Sequence, residues 1–206
     1  MITQNQYDGY HKIVHDFINK KCIIKQNNIP GKLPGTSYGW IFYLRNALFD
    51  PNISSFISEM MLYKLYNETG GYNFQICGAE TAGTPLAVSL PLIARTNGIP
   101  ISSFVIRKDQ KTYGLKNWHE GIYSPNIPYV LVDDLCNSST SLRHAYNICQ
   151  NQLGLVSSGL AIVVVNKVNK GVHEYQRTIS DMYLPKTIKV LSLFDLDSFD
   201  LSNPSH

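Results

Sequence analysis

Apolar positions at Tyr7, Tyr10, Ile13, Val14, Phe17 and Ile18 recur at helical spacing and predict an amphipathic helix over residues 6–21. A short strand is expected over 22–25. Residues 27–39 read as a loop, punctuated by Pro30, Gly31, Pro34, Gly35 and Gly39, and 40–44 as a strand. Asp50-Pro51 opens a second helix, carried by Ile53, Phe56, Ile57, Met60, Met61 and Leu65 and stopped by Gly70-Gly71. The pattern then shortens. Runs at 74–77, 101–106, 129–132, 160–165 and 189–194 read as buried strands. Helical patterns separate them over 84–96, with Thr84 as its cap and Pro85 in its first turn, and over about 142–153, with Gly154 as its stop. A weak helical pattern lies over 173–182.

Strands alternating with helices are the mark of an α/β fold: a central parallel sheet flanked by helices on both faces. Residues 107–128 break the pattern. So long a stretch without clear periodicity reads as a functional lid or a disordered segment, and a hairpin at its C-terminal end is compatible with it. The 206 residues are most simply one domain, 1–206.

Composition narrows the classes. Apolar residues make up 44% and charged ones 16%, which suits a packed core and argues against a disordered chain. The formal charge of +3 suits an anionic small molecule and does not mark a nucleic-acid binder. Cys22, Cys77, Cys136 and Cys149 form no C-x-x-C pair and read as reduced, mostly buried thiols. No segment reaches the roughly 20 apolar residues of a membrane span, and the first ten residues lack an apolar signal core. The expectation is a soluble, cytoplasmic protein with no membrane partner.

The chemistry concentrates where strands end. After Tyr129-Val130-Leu131-Val132 come Asp133 and Asp134, then Asn137-Ser138-Ser139-Thr140-Ser141, then a helix. Two acids directly after four apolar strand residues are poorly placed for mere solubility. Backbone N–H groups of such a loop, at a helix N-terminus, can hold a phosphate, and the carboxylates can hold hydroxyls or a metal beside it. Arg107, Lys108 and Lys111 start the long loop, where cations could close over a polyanion. At 78–83, Gly78 and Gly83 either shape a strand-to-helix turn or form a second anion site. The histidines show no metal spacing. The G-x-x-x-x-G-K-S/T, G-x-S-x-G and G-x-G-x-x-G patterns are absent.

Taken together, these stretches resemble a known family. Val130-Leu131-Val132-Asp133-Asp134-Leu135, followed by Asn137 to Ser141, resembles the phosphoribosyl-diphosphate (PRPP) motif of type I phosphoribosyltransferases. Arg107-Lys108-Asp109-Gln110-Lys111-Thr112-Tyr113-Gly114 is similar to the R-K-x-x-K-x-H-G mobile loop of orotate phosphoribosyltransferases. Gly78-Ala79-Glu80-Thr81-Ala82-Gly83-Thr84-Pro85-Leu86-Ala87 is similar to their G-x-E-T-x-G-x-P-L-A segment. Val165-Asn166-Lys167-Val168-Asn169-Lys170-Gly171 stands where they carry L-D-R-x-E-R-G. The likeness runs in order from about residue 30.

The resemblance implies a type I phosphoribosyltransferase-like fold, with a small N-terminal hood over about 1–45, a core over about 72–195 and a mobile loop. It implies PRPP binding by Arg107, Lys108, Lys111, Tyr113, Thr81, Ala82, Asp133, Asp134, Asn137, Ser138, Ser139, Thr140 and Ser141, with Lys111 and Asp134 catalytic. Lys32, Phe42, Asn137 and Lys167 would face the base. Magnesium would be held through PRPP, not directly by the protein. A homodimer would exchange its loops, and orotate would receive the phosphoribosyl group, releasing diphosphate, in pyrimidine nucleotide synthesis. The departures are specific. Ser139 stands where the family carries a glycine free to adopt φ > 0. Asn137 replaces threonine, Tyr113 replaces histidine, and Lys167 replaces an arginine whose planar fork it cannot reproduce. A phosphoribosyltransferase for another base, or a catalytically weak PRPP- or nucleotide-binding regulatory protein, are the alternatives.

Overall fold

The computed structural model describes residues 1–30, 35, 37–110, 117–167 and 184–201, with Asn27 described by its backbone alone. Helix α1 (Gln4–Lys21) starts at Thr3, whose side chain and that of Gln6 satisfy each other's backbone N–H groups in a capping box. It buries Tyr7, Val14 and Ile18. Strands β1 (Ile23–Pro30) and β2 (Ser37–Phe42) pair antiparallel as a separate two-stranded sheet. The sequence reading placed most of this hairpin in a loop. Its register shifts between Lys25 and Ile29, and Asn28 takes φ 59°, so no regular alternation marks it. Tyr43 and Leu44, expected in the second strand, lie beyond it. Leu44 instead precedes a short helix α2 (Arg45–Leu48).

Asp50 caps helix α3 (Pro51–Thr69) by accepting from the N–H groups of Asn52 and Ile53 at 3.1 and 3.0 Å, and Gly70 ends it at φ 70°. Strand β3 (Gln75–Ala79) leads into α4 (Gly83–Thr96) and then β4 (Ser103–Ile106). Thr84 does not cap α4. Ala82 holds that position and Thr84 lies inside the first turn, its N–H donating to the Thr81 carbonyl at 3.3 Å. Part of the 107–128 stretch forms β5 (His119–Gly121), followed by β6 (Tyr129–Cys136), α5 (Thr140–Asn151), β7 (Ser157–Asn166) and β8 (Lys189–Asp195).

The six-stranded sheet runs β5-β4-β3-β6-β7-β8. All pairs are parallel except β4–β5, so the expected parallel sheet carries one antiparallel edge strand, formed by the hairpin after β4. Alternation along the strands sorts the core into two faces. Val130, Val132, Ile162 and Val164 join α1, α3 and α4 on one. Tyr129, Leu131, Ala161 and Val163 join α5 on the other. Among the described residues no helix is long and apolar enough to cross a membrane.

Because β3 is followed by a helix on one face and β6 by a helix on the other, their C-terminal ends diverge and leave a crevice between them. Gly83 sets its width. A Cβ there would stand 2.6 Å from the Val132 carbonyl oxygen. Gly83→Ala should therefore force α4 away from β6 and cost roughly 2–3 kcal/mol, read as a lower urea midpoint with an unchanged slope.

Candidate functional site

The crevice widens into an open cleft of about 610 Å³. Thr81 and Ala82 enter it from the β3–α4 turn, Asp133 and Asp134 from β6, Asn137 to Ser141 from the loop into α5, and Trp40, Phe42 and Lys167 from the side of the small hairpin. Eleven of the residues singled out from sequence thus converge on one cavity: Phe42, Thr81, Ala82, Asp133, Asp134, Asn137, Ser138, Ser139, Thr140, Ser141 and Lys167. Lys32, Lys111 and Tyr113, like the helix expected over 173–182, lie outside the described residues.

The acids do not end the strand, as the apolar run suggested. Strand β6 continues through them, Asp133 opposite Val163 and Cys136 opposite Asn166 of β7. The two carboxyls nevertheless stay within hydrogen-bonding reach of each other, and both line the cleft. Asp133 is only 5% exposed, while Asp134 is less deeply buried and close enough to feel the charge of Arg45. Burial pushes both carboxyls up. Asp133 is raised further, with the neighbouring Asp134 charge adding to the cost of ionising it. The Asp134 N–H donates to Asp133 Oδ1 at 2.9 Å.

The loop after β6 is held by its own side chains. Ser138 and Thr140 hydroxyls lie 2.8 Å apart, and Ser139 Oγ lies 3.2 Å from Cys136 Sγ. Ser139 adopts φ 56°, ψ 13°, immediately before α5, and its side chain makes no capping bond to the helix. The backbone therefore keeps the left-handed turn that glycine takes without strain, at a cost of about 1–2 kcal/mol for a residue with a Cβ. The turn aims the N-terminus of α5, with its free N–H groups, into the cleft.

On the opposite wall, Lys167 Nζ sits 4.6 Å from the Trp40 ring centroid and 5.9 Å from that of Phe42. Its N–H donates to the Cys136 carbonyl at 2.7 Å, which anchors its backbone beside β6. Burial lowers the pKa of its ammonium.

Arg107 and Lys108 are not part of the cleft wall. Arg107 Nη1 pairs with Glu120 of β5 at 3.0 Å, and its carbonyl accepts from His144 Nε2 of α5 at 3.0 Å. The Lys108 N–H donates to Glu80 Oε2 at 2.7 Å, and Glu80 does line the cleft. The basic stretch therefore starts at the rim. For Gly78 and Gly83, packing accounts for both: a Cβ on Gly78 would stand 2.8 Å from the Gly83 carbonyl oxygen and 2.9 Å from Ala87 Cβ. Sequence reasoning passed over Trp40 and Arg45 as cleft residues. Trp40 is legible as the residue two before Phe42 on the same strand face, whereas nothing local marks Arg45.

No family model matches the chain. The orotate phosphoribosyltransferase of Aquifex aeolicus is 30% identical over 122 residues, which cover 59% of this chain and 64% of that protein. That of Caenorhabditis elegans is 27% identical over 120 residues, 58% of this chain and 50% of the other. The matched stretch is thus less than two thirds of the length of either relative. The solved orotate phosphoribosyltransferase of Mycobacterium tuberculosis superimposes with a TM-score of 0.68 at 19% identity, covering 92% of this chain and 98% of that one. The fold is that of the type I phosphoribosyltransferases. In sequence too, the chain is similar to orotate phosphoribosyltransferases.

Two outcomes follow from the geometry. Ser139→Gly should relieve the left-handed strain. After the extra unfolded-state freedom of glycine is set against it, the gain is roughly 0.5–1 kcal/mol, read as a higher denaturation midpoint. For the acids, both pKa values rise on folding, so the folded protein binds more protons than the unfolded one between the two sets of values. Stability should fall as pH rises from the ordinary carboxylate range through the raised values, then level off. Asp133→Asn should flatten this fall and add roughly 1–3 kcal/mol at neutral pH, measured by urea unfolding across a pH series. A wild-type protein that gains stability over the same rise would contradict the assignment.

Proposed function

We propose that the chain transfers the 5-phosphoribosyl group of PRPP to orotate, forming orotidine 5′-monophosphate and diphosphate in pyrimidine nucleotide synthesis. The observation that carries this reading is the convergence of an acid pair, a left-handed phosphate loop at a helix N-terminus and the Thr81–Ala82 turn on one cleft. That is a sugar-phosphate site with space beside it for a diphosphate and a flat base.

In this reading the 5′-phosphate lies in the loop Asn137 to Ser141, held by backbone N–H groups and hydroxyls. The 2′- and 3′-hydroxyls donate to Asp133 and Asp134, whose carboxyls in the free protein hold each other and nearby backbone N–H groups. The base nitrogen attacks C1 as the bond from C1 to the diphosphate oxygen breaks, and positive charge develops on the sugar. Asp134 supports that charge as it builds and helps move the proton. Thr81 and Ala82 lie against the diphosphate. Arg45, on the same wall as Glu80 and Thr81, neutralises part of it. Lys111, with Arg107, Lys108 and Tyr113, would complete the cover from the neighbouring subunit of a homodimer.

A hard cation that prefers oxygen ligands suits this donor set. In the proposed reading Mg²⁺ would be held through PRPP, with Asp133 and Asp134 beside it, and would supply neutralisation of the diphosphate charge. A cytoplasmic setting agrees with four free, buried cysteines.

A second reading, a PRPP- or nucleotide-binding regulator with weak catalysis, is favoured by the strained Ser139 and by lysine at position 167. A steady-state assay with PRPP, Mg²⁺ and a panel of bases separates the two. Turnover with orotate is expected. Asp134→Asn and Lys111→Ala should each lower kcat by about 100-fold or more, and Arg45→Gln should raise the KM for PRPP about tenfold with little change in kcat. PRPP binding without turnover of any base would favour the regulator. Turnover confined to another base would replace orotate.

A further inference from the structure

The wall of the cleft across from the acids holds an ammonium with an unusual setting. Lys167 is half-buried, and among the described residues no carboxylate stands beside it. Its immediate company is aromatic: Trp40 at 4.6 Å and Phe42 at 5.9 Å, the two rings meeting edge to face at 5.5 Å and 76°. Phe42 is fixed in turn by an edge-to-face contact with Phe199 at 5.2 Å. Trp40 and Phe42 share one face of β2, two residues apart, so a single strand presents both rings to Lys167.

Lysine carries a point charge on a flexible stem and cannot orient itself on a planar substrate as a guanidinium does. Here the orientation comes from outside the side chain. The backbone N–H is pinned to the Cys136 carbonyl, and the ammonium is drawn to the face of the largest ring available. A partly desolvated cation with no carboxylate beside it among the described residues, next to flat apolar surfaces, best accepts a flat molecule that carries a negative group at its edge.

We propose that Trp40 is the positioning residue for Lys167, and that the pair selects a planar pyrimidine bearing a ring carboxylate over its uncharged counterpart. The inference rests on the phosphoribosyl-transfer reading above and adds to it a residue that decides the base. Removing the tryptophan ring frees the ammonium to swing into solvent. The charge then remains in the protein while its effect on the base is lost.

The test uses the full chain and two nucleotides that differ by one carboxylate, orotidine 5′-monophosphate and uridine 5′-monophosphate, with affinities measured by calorimetry. Wild-type protein should prefer the carboxylated nucleotide. Trp40→Leu and Lys167→Met should each reduce that preference about tenfold, while affinity for uridine 5′-monophosphate stays within about twofold. Trp40→Phe, which keeps a ring face, should retain most of it. The double variant should lose no more than either single one, because the two residues act as a unit. Preference intact in Trp40→Leu overturns the inference alone. An equal loss for both nucleotides also overturns it, by making Trp40 a packing residue only. A wild-type protein that binds PRPP but does not distinguish the two nucleotides sinks the orotate reading together with this inference. Failure to bind PRPP removes the phosphoribosyl reading itself.

Discussion

Helix α4 starts so close to strand β6 that a single methyl group on Gly83 would stand 2.6 Å from the Val132 carbonyl oxygen. Everything in the cleft depends on that approach. Val132 is the residue before the acid pair, and Thr81 and Ala82 are the residues before Gly83. Pressing the two backbones together sets the Thr81–Ala82 turn beside the acid pair. Gly78, packed under the Gly83 carbonyl and Ala87, keeps the same turn flush with β3. With α4 on one face of the sheet and α5 on the other, the ends of β3 and β6 have no element between them, and the space becomes a binding site.

The charges in that space are arranged against the stability of the free protein. Two adjacent carboxyls are taken out of water and raised in pKa, and across from them an ammonium is half-desolvated with rings for company. The acids and the cation are not paired with each other. In the phosphoribosyl-transfer reading proposed above, a sugar hydroxyl, a diphosphate or an anionic base would meet them there. Ser139 follows the same logic. A residue with a side chain takes the left-handed conformation where the backbone turns α5 toward the cleft.

Much of this was legible before any coordinates. Asp50-Pro51, Gly70 and the apolar spacing of α3 announce its start, face and end because caps and periodicity are local properties. The run before Asp133 and Asp134 announces a buried strand for the same reason. The outer ends of the β1–β2 hairpin read as strands, but its inner part reads as a loop. Its strands lack alternation, since a register shift and a left-handed Asn28 interrupt them. Short β5 was absorbed into the 107–128 stretch because three residues cannot show a period, and pairing with β4 is what makes them a strand. Arg45 reaches the cleft only because α2 follows the hairpin, a placement that no window of sequence contains.

The stretch from Tyr129 to Ser141 by itself determined that this chain holds a strand, an acid pair and a phosphate-type loop, because each of those depends on neighbours in the chain. That Ser139 takes a left-handed turn is seen only in the structure. Only the tertiary structure decided what the acids experience. Strand β6 runs on through them, burying Asp133 and leaving Asp134 partly open, the two carboxyls hydrogen-bonded to each other in the cleft. Only the tertiary structure brought Trp40 against Lys167, residues far apart in the chain whose contact is made across two sheets. Desolvation and ring-face attraction act through space, so a sequence that names the charged groups cannot say which of them will be left wanting a ligand.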